Sequence, residues 1–132
     1  EAGTQVQHIL YGSACIARLR SWFLDGTVPA HMRNVMFVLG QYSPPVLAQP
    51  SDLKGFLEEA AELDLNWSVC AFGRQERACL LAAIAAGGDV RIGFENNTET
   101  PEGDAMADNA ASVAGFVQAA RDAGHSCKEI QT

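Results

Sequence analysis

What this 132-residue chain has little of narrows its function before any motif is read. Basic residues are few and scattered: nine Lys and Arg stand against sixteen Asp and Glu, for a net charge of −7. A polyanionic partner is held by clustered Lys and Arg, so nucleic acid is excluded as a partner. No apolar run approaches the ~20 residues that a membrane-spanning helix needs, and no secretion signal is evident, so the expected compartment is the cytoplasm with no membrane partner. Cysteines number four (Cys15, Cys70, Cys79 and Cys127), with no C-x-x-C and no Cys/His cluster at zinc spacing. They read as free thiols. Two N-x-S/T triplets, starting at Asn66 and Asn96, fall in or beside predicted strands and carry no weight as glycosylation sites. Nucleotide fingerprints are missing too, since neither G-x-G-x-x-G nor G-x-x-x-x-G-K follows any strand. The three histidines form no His-x-His: His8 reads as a packed strand residue, His31 and His125 as surface loop residues.

What is present is a rhythm. A hydrophobic fraction of 48% is enough for one domain with a real core, taken here as residues 1–132. Four strand-then-helix units follow one another at ~25–30 residues, the length of a βα unit. The first strand spans about residues 5–10, followed by Ser13 as N-cap of a helix through Leu24 and by Gly26 at its C-terminal stop. Residues 34–39 are a continuous apolar run, as in a strand buried on both faces of a parallel sheet. A Pro-rich loop and Ser51 as N-cap lead to a helix whose Glu58, Glu59 and Glu62 form a solvated face. A third strand spans about 66–72, with an apolar helix over 76–86. The fourth strand is expected over 89–94, and a polar loop leads to a last helix stopped by Gly124. The pattern predicts a parallel α/β sheet, either open and doubly wound or part of a barrel.

Sites in parallel α/β proteins form at the C-terminal ends of strands. Alternation along the fourth strand places Val90, Ile92 and Phe94 on one face and Arg91, Gly93 and Glu95 on the other. Buried without partners, a guanidinium and a carboxylate cost several kcal/mol, so each calls for a counter-charge, a metal or a substrate. On an extended strand the two Cα atoms would stand ~13 Å apart and need not pair. The competing reading is an edge strand with both groups in water.

The stretch Gly87-Gly88-Asp89-Val90-Arg91-Ile92-Gly93-Phe94-Glu95-Asn96-Asn97 resembles the signature Gly-Gly-x-Val-Arg-Val-Gly-Leu-Glu-Asp-Asn of the β-keto acid cleavage enzymes. Trp67-Ser68-Val69 with Gly73-Arg74-Gln75, and Phe37-Val38-Leu39-Gly40, resemble that family's two preceding strand ends, in the same order. The resemblance runs from about Gln5 to Gly124. It implies a (β/α)8 TIM-type barrel, of which this chain carries roughly the last four βα units. It also implies zinc or another divalent metal, and a reaction in which a β-keto acid and acetyl-CoA give acetoacetate and a new CoA thioester. On that basis Glu95 matches the metal ligand and Arg91 an active-site arginine. Asn96 stands at the position expected to assist proton transfer, and Gly73 and Arg74 are the expected contacts for acetyl-CoA. The expected partners are small molecules, with a homo-oligomeric assembly.

Three departures qualify the match. Asn96 replaces an acidic residue, and an amide cannot take a proton at neutral pH. Ser13 follows Gly12 where a Gly-His pair is frequent. The His-x-His of an early barrel strand is not in this sequence. A whole barrel needs roughly 200 residues or more, so the other half is supplied by further chain or by a second copy. The alternatives to an enzyme are a degenerate barrel that holds a CoA-like or carboxylate ligand without catalysis, and a truncated barrel with no activity of its own.

Overall fold

Successive strands of one sheet take their places in chain order. The computed structural model describes residues 3–126, with β1 (Gln7–Leu10), α1 (Ser13–Asp25), β2 (Asn34–Leu39), α2 (Asp52–Ala60), β3 (Asn66–Ala71), α3 (Glu76–Ala85), β4 (Asp89–Val90) and α4 (Asn109–Asp122). The sheet order is β1-β2-β3-β4 and every pair is parallel. Val35 pairs with His8 and Trp67, and Val69 pairs with Val90.

β2 is buried on both sides from Val35 to Leu39, the environment its unbroken apolar run anticipates. Val35, Phe37 and Leu39 join Leu10, Val69 and Ala71 in one core with residues from α1, α2, α3 and α4. Burying an aliphatic or phenyl side chain of this size is worth about 1.5–3 kcal/mol, so this single layer dominates the stability. Phe37 anchors it, with its ring 5.0 Å from that of Phe56 and 6.0 Å from that of Trp67. Met36, Val38 and Cys70, with Phe72 against them, form a second cluster on the other face. All four helices contribute to the first cluster and none to the second. A doubly wound sheet places helices on both faces and reverses its strand order, whereas one arc of a βα barrel does neither.

Helix ends differ from expectation in detail. Gly26 does cap α1 in the left-handed conformation, with φ of 79°. Ser13, however, is the first residue of α1 rather than its cap, and its hydroxyl donates to Glu59 Oε1 at 2.6 Å. Ser51 stands at the N-cap of α2 without a side-chain bond; the Gln49 N–H donates instead to Asp52 Oδ2 at 2.8 Å. α4 has a true cap, Asp108, which accepts from the Ala111 N–H at 2.7 Å. The expected acidic face is exposed at Glu58, Glu59 and Glu62, the last lying just beyond α2, where Arg20 of α1 bridges it. His8 is half-buried and its Nε2 lies 3.1 Å from Met32 O, while His31 is exposed and His125 half-buried. Cys15, Cys70 and Cys79 are free thiols, and Cys127 lies outside the described residues.

Candidate functional site at the C-terminal ends of the strands

The largest difference from the sequence-based expectation falls at the fourth strand, which ends at Val90 rather than at Phe94. The Arg91 N–H still donates to Val69 O at 2.9 Å, and there the ladder stops. Gly93 begins a tight turn: its carbonyl accepts from the Asn96 and Asn97 N–H groups at 2.9 and 3.3 Å. Asn97 extends the turn, since its Oδ1 accepts from the Glu99 N–H at 3.0 Å. Polar Asn residues, which favour local side-chain-to-backbone bonds, therefore win over the strand alternation of the preceding residues.

That turn corrects the expected separation of Arg91 and Glu95. They are not held apart along a strand; Arg91 Nη2 lies 3.3 Å from Glu95 Oε2. Side-chain exposure is 40% for Arg91 and 74% for Glu95, so water screens the pair and its net worth is about 0–1 kcal/mol. The same nitrogen also lies 3.3 Å from Asn96 Oδ1 and 3.6 Å from Cys70 Sγ. Arg91 thus sits on the face opposite the helices, beside Cys70, while Val90 and Ile92 pack against the main core. Among the described residues no acceptor grips its guanidinium in a two-pronged fork.

Asn96 is 5% exposed, and its Nδ2 is buried with no partner among the described residues. An orphaned buried donor of this kind costs about 1–3 kcal/mol. Its backbone carbonyl accepts from the Gly73 N–H at 3.0 Å, which ties the β4 turn to the end of β3. Gly73 has φ of 92°, a conformation that favours glycine, and the movable end of Leu47 lies against it, with Cδ2 2.5 Å from where a Cβ would stand. A cavity of about 250 Å³ opens here, walled by Tyr42, Leu47, Phe72, Gly73, Asn96 and Thr98 among others. Arg74 is not in that wall. It is exposed and lines a neighbouring space beside Glu76, so the structure separates two residues that the sequence groups together.

Two residues at this end carry no role in the sequence-based reading. Glu76, the first residue of α3, is 3% exposed and takes Asn97 Nδ2 on its Oε1 at 3.3 Å. Burial pushes its carboxyl up to about 7, against the opposing pull of Asn97, the Gly93 N–H and Arg77. Cys70, at the Arg91 end, has its thiol raised by burial, so it is no ready nucleophile. Glu76 in a first helical turn reads from sequence as an ordinary dipole-stabilising acid. Only the fold reveals that it is buried.

A metal fits these residues poorly. Glu95 is one exposed carboxylate already paired with Arg91, and among the described residues no group of three or more His, Cys, Asp or Glu converges to hold an ion. A catalytic divalent ion takes about three protein ligands, a number that the described residues do not bring together. Among the described residues, no helix is long and apolar enough to cross a membrane.

Comparison with known proteins places the sequence in a family. The chain is 36% identical over 85 residues to a 3-dehydrocarnitine:acetyl-CoA trimethylamine transferase of Rhizobium meliloti (strain 1021), covering 56% of this chain and 28% of that protein. It is 34% identical over 96 residues to a 3-keto-5-aminohexanoate cleavage enzyme of Acetoanaerobium sticklandii, covering 73% of this chain and 33% of that protein. The match thus spans about a third of the length of these curated relatives. The family model described as "beta-keto acid cleavage enzyme" matches residues 1–132 in full. With the parallel sheet and the Arg91–Asn97 turn at its C-terminal edge, the chain belongs to the beta-keto acid cleavage enzyme family.

Proposed function

We propose that this chain is the site-bearing arc of a (β/α)8 barrel that exchanges acyl groups between a β-keto acid and acetyl-CoA, giving acetoacetate and a new CoA thioester. The observation that carries this reading is the cluster at the end of β4. A half-buried guanidinium with three weak, exchangeable acceptors opens at the edge from which βα barrels work. The names of the two relatives, one pairing 3-dehydrocarnitine with acetyl-CoA and one a 3-keto-5-aminohexanoate cleavage enzyme, support the same chemistry.

In this reading Arg91 binds the carboxylate of the β-keto acid, releasing Glu95 and Asn96 as it does so. Binding the anion at a partly desolvated guanidinium also steadies negative charge that develops during carbon–carbon bond making and breaking. Acetyl-CoA approaches along the wall that Gly73 shares with Leu47, and Arg74, exposed in the neighbouring β3–α3 turn, offers a cation to an anionic part of the coenzyme. Asn96 donates a hydrogen bond but accepts no proton, so proton transfer falls to another group. Glu95 would give one ligand to a divalent ion such as zinc, and the described residues do not complete that site. The remaining βα units, or a second copy in a homo-oligomer, would cover the face that carries Met36, Val38 and Cys70. The proposed setting is cytoplasmic.

A second reading has one observation in its favour, the amide at position 96: a barrel that holds a carboxylate or CoA-like ligand without turning it over. Steady-state assays with acetyl-CoA and a panel of β-keto acids separate the two. Acetoacetate release that falls at least about tenfold in Arg91→Gln supports the enzyme. Ligand binding with no acetoacetate supports the second reading.

A further inference from the structure

Glu76 is a buried acid in a molecule whose proposed chemistry makes no use of it, and it sits within a closed circuit of hydrogen bonds. Its N–H donates to Gly73 O at 3.0 Å, the Gly73 N–H donates to Asn96 O at 3.0 Å, and the Asn96 N–H donates to Gly93 O at 2.9 Å. The Asn97 N–H returns to the same Gly93 carbonyl at 3.3 Å, and Asn97 Nδ2 closes the ring on Glu76 Oε1. The same Nδ2 donates to Glu99 O at 2.8 Å, and Asn97 Oδ1 takes the Glu99 N–H. Thus one side chain, 6% exposed, clamps the far end of the turn, and one carboxyl holds that side chain. Oε2 of Glu76 has no partner among the described residues and is buried.

We propose that Glu76 is a positioning residue: through Asn97 it fixes the turn that presents Glu95 and Asn96, and its protonation state is transmitted to that turn. Glu76 does not touch the reacting groups. Its charge changes the strength of the Asn97 bond, because hydrogen bonds to an ionised acceptor are roughly twice as strong as neutral ones. A carboxyl whose pKa is pushed up to about 7 changes charge within the neutral range, which lets the effect be read without unfolding the protein. The charged or titratable groups facing it are Arg77 on α3, Arg74 in the β3–α3 turn and Glu99 in the loop, while the thiols of Cys70 and Cys79 feel its charge. Burial pushes the Cys79 thiol up to about 11 and Cys70 upward as well. α4 contributes Ser112 and Phe116 and β4 is followed by Ile92, none of which titrates.

The circuit stands whatever the turnover proves to be; only the word "positioning" rests on the proposed function. The test is a pH titration of ¹⁵N-labelled protein by NMR, followed at the Asn97 side-chain amide and the Gly93 and Glu99 backbone amides. All three are expected to shift with one shared midpoint close to neutrality. In Glu76→Gln that titration disappears while the spectrum stays folded. In Asn97→Ala the Glu99 amide ceases to follow Glu76, while the Gly93 amide, which faces the carboxyl directly, continues to do so. Wild-type shifts alone decide the matter if a variant does not fold. Flat Asn97 and Glu99 signals across the neutral range, or a Glu99 titration that survives Asn97→Ala, would overturn the proposal. A wild type that titrates as expected yet makes no acetoacetate would sink the proposed function and leave the circuit intact.

Discussion

Asn96 occupies the spot where acid chemistry and hydrogen bonding diverge. Its Oδ1 accepts from Arg91 and its Nδ2 has no acceptor, so a carboxylate in the same volume would remove the orphaned donor and give Arg91 a charged partner. Arg91 would then have less reason to hold Glu95. Asn96→Asp is therefore expected to raise acetoacetate formation, by about 10²-fold or more if the new group serves as the base. Comparison at saturating substrates separates that gain from tighter binding; an unchanged rate would mean that another group moves the proton. Glu76 gives a second prediction at this scale. Its folded pKa, about 7, lies above its ordinary value of 4.5, so the folded protein holds this proton more tightly than the unfolded chain does. The stabilisation is full below the lower value and is lost as pH rises through the higher one. Between about pH 5 and about pH 8 it should cost wild type roughly 2–3 kcal/mol, a slope absent from Glu76→Gln. Denaturant titrations of both proteins at the two pH values measure it, and parallel losses in the two would contradict it. Neither residue's behaviour was legible in the sequence. Asn96 was marked by its departure from a motif, but burial of Glu76 depends on loop 95–106 folding over the start of α3, which no local pattern encodes.

At the scale of elements, order and direction were legible and the ends were not. The unbroken run from Val35 to Leu39 could only be a strand covered on both faces, and it is. β4 was overextended because Ile92 and Phe94 continue the alternation, yet Gly93 and two asparagines turn the chain first. The motif's paired glycines are partly explained by the fold. A Cβ on Gly88 would stand 2.1 Å from Cζ3 of Trp67, so the entry to β4 passes across the face of that indole. Gly88→Ala must displace Trp67 from Phe37, and overpacking of this kind costs about 1–3 kcal/mol. The expected result is a lower Tm together with a change in tryptophan emission, since Trp67 is one of only two tryptophans. An unchanged spectrum at unchanged Tm would show that the crossing is looser than drawn.

For the whole molecule, the sheet has its helices on one side and the Arg91 cluster at one end. The parallel α/β sheet in chain order was legible from the βα rhythm, and that rhythm alone fitted an open sheet as well as a barrel arc. With no three candidate ligands converging among the described residues, calorimetry on this chain should find no tight stoichiometric zinc site. Tight one-to-one binding would mean that other ligands converge with Glu95. The central claim, that the β4 turn serves acyl exchange between a β-keto acid and acetyl-CoA, is tested most directly by the fate of one carbon. Acetyl-CoA labelled with ¹³C at the acetyl carbonyl is incubated with a β-keto acid and the protein carrying this chain. If the acetyl group is joined to the two-carbon carboxylate end of the keto acid, the label appears as the keto carbon of acetoacetate. The remaining acyl group then leaves unlabelled on CoA, and Arg91→Gln suppresses both products. Label recovered only as acetate or unchanged acetyl-CoA, or a new thioester that carries the label, would contradict the account.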